Sequence, residues 1–322
     1  MDLPISWDEA HAYQTTPAGK VVEGRNLTGG VLRWCHWGMT AGGDDDQPDG
    51  QNAREAISLM EKLGDKPWFI GLGFHKPHDP FVAPKKYFDL YPPGAIPLYR
   101  DPKDLTPAPP LAVGFGEFGA AFAKFTDTER LEFQRAYYAG ISFIDAQLGR
   151  VLDALDRLRL TERTLVVFLS DHGYHLGERQ WWNKNTLFER STRTPLIIAA
   201  PGARQGVARG LAELVDLFPT ICGMCGLKPP DGLAGQDLQP LLADPSLPGK
   251  AAAFTLVTRG AQQRGDSIRT DRWRYTEWSG GSRELYDHIA DPEETRNVVD
   301  SNNQIAKTLS QQLQGMRQKK FP

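Results

Sequence analysis

Four of the seven histidines stand in two short clusters: His75 and His78 in His75-Lys76-Pro77-His78, and His172 and His175 in Ser170-Asp171-His172-Gly173-Tyr174-His175. An imidazole can carry a proton near neutral pH or ligate a metal. At Asp171-His172 a carboxylate and an imidazole are thrown together, with Gly173 allowing the chain to bend beside them. Such a pair can begin a metal site, though two adjacent ligands do not finish one. The alternative is an aspartate that caps the next turn and a histidine left at the surface. Lys184, in Glu178-Arg179-Gln180-Trp181-Trp182-Asn183-Lys184, offers a compact cation. That charge suits an oxygen that gains negative charge during a reaction, and the neighbouring tryptophans could exclude water. Against this stands the ordinary fate of a lysine, exposure on a loop.

Both clusters need elements to hold them. Ala53, Ile57, Met60 and Leu63 recur at helical spacing after Gln51, and Gly64 closes the pattern. Trp68–Phe74 reads as a buried strand that delivers His75 and His78 at its end. A long helix is predicted over Glu129–Leu160, its stripe drawn by Tyr138, Ile141, Ile144, Leu148, Val151, Leu155 and Leu158. Thr164–Ser170 and Pro195–Ala200 read as fully buried strands. Strand, helix, strand, with ionisable residues just after the strands, is an α/β pattern, and ligands of such sheets gather outside the strands' carboxyl ends. The expected organisation is an irregular segment 1–50, a partial α/β domain 51–244, and a smaller C-terminal α+β subdomain 245–322. Within the last, strands are expected near Ala252–Val257 and Trp273–Trp278 and a helix over Asn303–Met316. The acidic run Asp44-Asp45-Asp46 reads as a solvated loop, with a cation site as the alternative.

Composition narrows the field. Lys and Arg number 37 against 40 Asp and Glu, a net charge of −3, and no basic stripe marks a nucleic-acid surface. Apolar residues at 40% and charged residues at 24% suit a globular core. The longest aliphatic runs, Leu165–Leu169 and Leu196–Ala200, are too short for a membrane span. Met1-Asp2-Leu3-Pro4 lacks a secretory pattern, so compartment is unassigned. Three cysteines are too few for a disulfide scaffold, and Cys222-Gly223-Met224-Cys225 has no second pair to complete a zinc site. Asn26-Leu27-Thr28 has the form of a glycosylation acceptor. Trp181, Trp182, Trp273 and Trp278 could stack on sugar rings or fill a core.

Several segments together carry a resemblance: FIGLGFHKPHDPF at Phe69–Phe81, YAGISFIDAQLGRVLDAL at Tyr138–Leu155, FLSDHGYHLGERQWWNK at Phe168–Lys184, TPLIIAAPG at Thr194–Gly202, SIRTDRWRYTEW at Ser267–Trp278 and ELYDHIADP at Glu284–Pro292. In this order they resemble the sulfatase family of the alkaline phosphatase superfamily, in its iduronate-sulfatase-like and choline-sulfatase-like branch, over about residues 45–300. That resemblance implies an alkaline-phosphatase-like α/β sheet flanked by helices, incomplete at its amino terminus, and hydrolysis of sulfate monoesters. By position, Asp171 and His172 match two ligands of a divalent cation, usually Ca2+. Lys184 matches the lysine on the sulfate oxygen nearest the leaving group, and His78 the histidine that contacts sulfate and assists departure of the alcohol. His75, Lys76 and His175 receive no chemical role.

The family's nucleophile is a formylglycine made from cysteine (or sometimes serine) in Cys-x-Pro-x-Arg. Cys35, Cys222 and Cys225 all stand in other contexts, and the early aspartate pair that completes the metal site has no counterpart. The expectation is a truncated or inactive sulfatase, completed if at all by a missing N-terminal half or a partner chain, with strand edges and apolar faces left open. Its substrate would be a sulfated small molecule or carbohydrate. The alternatives are a phosphodiesterase or phosphonate hydrolase of the same superfamily, and a non-catalytic sulfated-glycan-binding or assembly subunit.

Overall fold

Proline at a helix's first position has no N–H to leave unpaired, and this sets where the first long helix begins. In the computed structural model, which describes residues 6–113 and 117–318, that helix is α1 (Pro48–Leu63). Gly64 stops it at φ +56°, a left-handed conformation that glycine adopts without strain, and its N–H bonds back to the Met60 carbonyl. Ala53, Ala56 and Met60 form the buried face. The start Met1-Asp2-Leu3-Pro4 lies outside the described residues.

Residues 1–50 hold more regular structure than their composition predicts. β1 (Val21–Asn26) runs antiparallel to β2 (His36–Thr40), which pairs in parallel with β3 (Phe81–Pro84). Five of the six β1 residues are exposed, so no apolar alternation marks the strand. Asn26 spends its whole amide here: Nδ2 donates to the Leu32 carbonyl while Oδ1 accepts from Thr28 and Gly30. The acidic run is likewise no solvated loop. Asp44 accepts from Tyr87 Oη at 2.9 Å and pairs with Lys86 at 2.8 Å. Asp45 pairs with Arg150 at 2.7 Å, and Asp46 accepts from Thr16 at 2.5 Å. With these partners the three carboxylates are tied to protein groups rather than to a cation.

α2 (Lys85–Phe88) follows β3, and α3 (Glu117–Phe122) precedes α4 (Asp127–Arg157). Thr126 and Glu129 close a reciprocal capping box at the start of α4, an arrangement whose loss typically costs about 1 kcal/mol. The buried stripe of α4 runs through Phe133, Ala136, Gly140, Phe143 and Gln147 to Leu155; of the expected stripe Leu155 is buried, but Tyr138, Ile141 and Ile144 are not. Packing decides this. Phe133 meets Phe81 of β3 at 4.5 Å between ring centres, and Phe143 meets Tyr87 of α2 at 5.4 Å. The predicted strand Trp68–Phe74 forms no ladder among the described residues. Its side chains alternate between half-buried and exposed, and Phe69 is 67% exposed.

β4 (Val166–Leu169) and β5 (Leu196–Ala199) form an antiparallel pair, with the short α5 (Glu189–Thr192) between them in sequence. They are not fully buried as expected: Ile197 is 59% exposed. Each has one strand neighbour among the described residues, so the faces of the pair stay partly in solvent. α6 (Leu217–Met224) and α7 (Gln239–Ala243) follow. The C-terminal part is a four-stranded antiparallel meander, β6 (Ala253–Arg259), β7 (Gln263–Arg269), β8 (Trp273–Trp278) and β9 (Arg283–Asp287), backed by α8 (Asn303–Gln318). Ile268, Tyr275, Leu285, Leu309 and Leu313 fill the space between sheet and helix. Each such side chain contributes roughly 1.5–3 kcal/mol by leaving water.

The chain divides into two compact units, Met1–Tyr99 with Glu117–Thr161, and Arg100–Gly116 with Glu162–Pro322. No described helix is long and apolar enough to cross a membrane.

Candidate active site

In the first unit, His78 lies in a turn held from below by α1. The buried Asp49 carboxylate, in the first turn of that helix, accepts the N–H groups of His75 and Lys76 at 2.7 and 2.9 Å. Asn52 adds a bond to the Gly73 carbonyl. On the other side α4 comes close at Gly140, where a Cβ would touch Pro77. The His75 and His78 rings sit 4.8 Å apart. His78 Nδ1 lies 2.7 Å from the Asp79 carbonyl oxygen and 3.2 Å from its carboxylate, which places the ring proton on Nδ1 and leaves Nε2 outward.

In the second unit, Asp171 and His172 follow β4 directly. The Asp171 side chain is 83% exposed, with Oδ1 accepting the His172 N–H at 3.0 Å. His172 Nδ1 lies 2.8 Å from the Gly173 carbonyl oxygen, so the ring proton belongs there. Nε2 then keeps its lone pair, 3.5 Å from Asp171 Oδ2. Two acceptor atoms thus face the same small space with no proton between them, a donor set that fits a divalent cation. Gly173 serves close approach rather than a left-handed bend: a Cβ there would stand 2.1 Å from the Arg190 carbonyl oxygen.

Lys184 lies on the returning arm of the same loop. The His175 N–H bonds to the Asn183 carbonyl, the Gly177 N–H to that of Trp181, and Tyr174 Oη to that of Trp182. These bonds lay the two arms side by side from His175 to Asn183, with Lys184 next along the returning arm, while Gly173 bonds instead to the Ser191 carbonyl. The Lys184 backbone is fixed, its N–H by Asn183 Oδ1 and its carbonyl by Trp181 Nε1. Its ammonium has no partner among the described residues. Gly177, Arg179, Gln180 and Asn185 all have positive φ around it, three of them non-glycine and therefore strained.

What holds that strain is a residue the sequence reading passed over. The Arg179 guanidinium donates to the carbonyls of Thr106 and Glu294 and to Tyr286 Oη, and lies 4.4 Å over the Phe188 ring. Its own N–H bonds to Asp101 Oδ1 at 2.8 Å. His175 is structural in its surroundings. It is 1% exposed, with Nε2 2.9 Å from Thr186 Oγ1, and burial pulls its pKa down to about 4, so it stays neutral. Trp181, Trp182 and Trp278 are buried packing residues and offer no face to a sugar ring.

A second acid–imidazole cluster lies among α5, β8 and the segment after β9. Glu189, His288 and Glu294 bring ligand atoms within 4.8 Å of one another. Arg274 already occupies the middle: Nε meets Glu294 at 2.6 Å and Nη2 meets Glu189. A guanidinium supplies the positive charge there, so these groups have no need of an ion.

The strand-end Asp171-His172 turn and the hairpin carrying Lys184 coincide with an independent similarity. The sulfatase family pattern matches residues 6–227. The chain belongs to the sulfatase family. The C-terminal pattern of N-sulphoglucosamine sulphohydrolase matches residues 177–319, the part that holds the meander and α8. Among relatives, a sulfatase of Formosa agariphila is 30% identical over 303 residues, covering 92% of this chain and 56% of the relative. Iduronate 2-sulfatase of Mus musculus is 30% identical over 360 residues, covering 87% and 65%. The fold is of the alkaline-phosphatase-like α/β class: the phosphonate monoester hydrolase of Silicibacter pomeroyi superposes with a TM-score of 0.73 at 25% identity, over 87% of this chain and 62% of that one. This sulfatase-family chain therefore spans a little over half to about two thirds of the length of these relatives.

Proposed function

We propose that this chain carries the sulfate-recognising part of a hydrolase of sulfate monoesters, with a sulfated carbohydrate as the favoured substrate class. The supporting observation is the segment 171–184, which carries two ligand atoms with free lone pairs and an ammonium that has no partner among the described residues. Asp171 and His172 would hold Ca2+, whose further ligands would be oxygens from outside this pair. When bound, the cation supplies Lewis-acid polarisation of the sulfate's non-bridging oxygens. Lys184 then places a fixed positive charge against a sulfate oxygen. Cleavage of the ester leaves charge on the bridging oxygen; the family resemblance gives His78 the role of assisting the departing alcohol, and with its Nδ1–H engaged by Asp79 it would do so as the imidazolium, giving up a second proton carried on Nε2.

None of the three cysteines lies in Cys-x-Pro-x-Arg. The nucleophile and the remaining metal ligands would come from polypeptide beyond these 322 residues, either an N-terminal portion or a partner chain. The purified chain should therefore bind Ca2+ weakly and hydrolyse an aryl sulfate negligibly. Turnover that Lys184→Ala abolishes would refute the absence of a nucleophile. Calcium affinity unchanged by Asp171→Asn would refute the ligand assignment. The superposition on a phosphonate monoester hydrolase supports a second reading, hydrolysis of phosphonate or phosphodiester substrates. It predicts that a phosphonate monoester displaces an aryl sulfate from the chain. Saturable glycan binding with no turnover, even after a segment bearing Cys-x-Pro-x-Arg is supplied, would favour a binding or assembly subunit.

A further inference from the structure

Two prolines deprive the turn that carries His78 of backbone donors: neither Pro77 nor Pro80 has an N–H. Carbonyl groups that face inward in such a turn need a donor from a side chain. Lys76 provides it. Its Nζ lies 3.1 Å from the His78 carbonyl oxygen and 2.7 Å from that of Pro80. Resting on the role given to His78 above, we propose that Lys76 is a positioning residue, a cationic post around which its own turn folds and which fixes the direction of the His78 imidazole.

Bonds fix the His78 backbone at both ends while its Nε2 edge stays in solvent. Asp49 fixes the entry to the turn through the N–H groups of His75 and Lys76. The His78 N–H bonds to the His75 carbonyl at 3.0 Å, and its own carbonyl is taken by Lys76. The ring is limited by Asp79 at Nδ1 and by the His75 ring on one face. Lys76 thus serves the exit of the turn as Asp49 serves its entry. A surface lysine keeps its ammonium in water, and folding it back onto the chain gives up rotamer freedom that the two carbonyl bonds must offset. Burial lowers the Lys76 pKa to about 8, against the opposing pull of Asp49 and Asp79. The charged and titratable groups acting on the ammonium are these two carboxylates, and the His75 imidazole feels its charge in turn.

The test is 15N NMR of the intact chain with labelled histidine and lysine, and it needs no substrate. In the wild type, the two ring nitrogens of His78 should be well separated, as in a single Nδ1–H tautomer. In Lys76→Met that separation should fall by more than half, and Lys76→Arg should restore most of it. His175, in the other unit, should keep its signals in all three proteins and so report an intact fold. Where Lys76→Met does not fold, the wild-type Lys76 Nζ decides: slow hydrogen exchange and titration near 8 support the post, while fast exchange and an ordinary lysine titration overturn it. Equal His78 separation in wild type and Lys76→Met also overturns it. Failure of aryl-sulfate binding with an ordered His78 would count against the proposed function and leave the post standing.

Discussion

The second unit contains two clusters made of the same residue types, a carboxylate, an imidazole and a cation. One is the proposed site of Asp171, His172 and Lys184; the other is the network of Glu189, Glu294, His288, Arg269 and Arg274. In the second, the cations already sit on the acids. Glu294 accepts from Arg274, from His288 at 2.9 Å and from the Glu189 N–H, and Arg269 lies 3.3 Å from Glu189. Burial alone would raise the Glu294 pKa, but Arg274 and then His288 outweigh it and hold the carboxyl low. In the first, the Asp171 and His172 lone pairs face each other and the Lys184 ammonium has no partner among the described residues. Residue type therefore does not separate strut from site. Spent against unspent bonding capacity does.

Breaking the strut should have the largest effect. Arg274→Met leaves the buried Glu294 and the half-buried Glu189 without their principal cation and should cost about 3–5 kcal/mol in denaturant unfolding. An equal loss from Asp171→Asn would erase the distinction between the clusters. Acidification comes next, through His175. Its folded pKa of about 4 lies below the ordinary value of 6.5, so the unfolded chain takes up a proton that the folded one refuses. Stability should fall as pH drops from 6.5 toward 4, by up to about 3 kcal/mol. Thermal unfolding across that range should show the slope, and His175→Phe should flatten it.

Glu284 should give a smaller and opposite response. Its buried carboxylate accepts from Trp278 Nε1 and Tyr286 Oη, and desolvation raises its pKa despite those bonds. The folded state then holds a proton that the unfolded chain has released. This contribution is complete below the ordinary carboxyl value and disappears as pH rises through the raised one. Glu284→Gln should match or exceed wild-type stability at neutral pH, by about 1 kcal/mol, and remove that pH slope. The smallest effect belongs to the open cluster. Asp171→Asn and Lys184→Ala should shift unfolding by no more than about 0.5 kcal/mol, since their side chains hold little in place. Calorimetry should nevertheless show Asp171→Asn losing Ca2+ binding and Lys184→Ala losing affinity for an aryl sulfate.

Much of the scaffold was legible because it follows local rules. α1, the long helix, β8 and α8 all show in apolar spacing and capping residues, within a few positions of their observed ends. The errors share one cause. Trp68–Phe74 and β4 carry strand-like residues, but burial of a strand depends on neighbours that its own sequence does not name. β7 escaped notice because Asp266 and Ser267 are polar and yet buried, the aspartate paired with Arg264 and Arg317. The face of α4 was misread because Phe81 and Tyr87, distant along the chain, select it.

The sequence by itself determined which groups could do chemistry, since His78, Asp171, His172 and Lys184 stand in family-like segments whose residue types suit an anion and its cation. Tertiary structure decided which of those groups keep free lone pairs or charge. It also revealed Asp49, Lys76 and Arg179 as the residues that hold the turns. The physical reason is that availability for a ligand is what remains after hydrogen bonds and ion pairs between distant residues have been made, and those partners are chosen only when the chain folds.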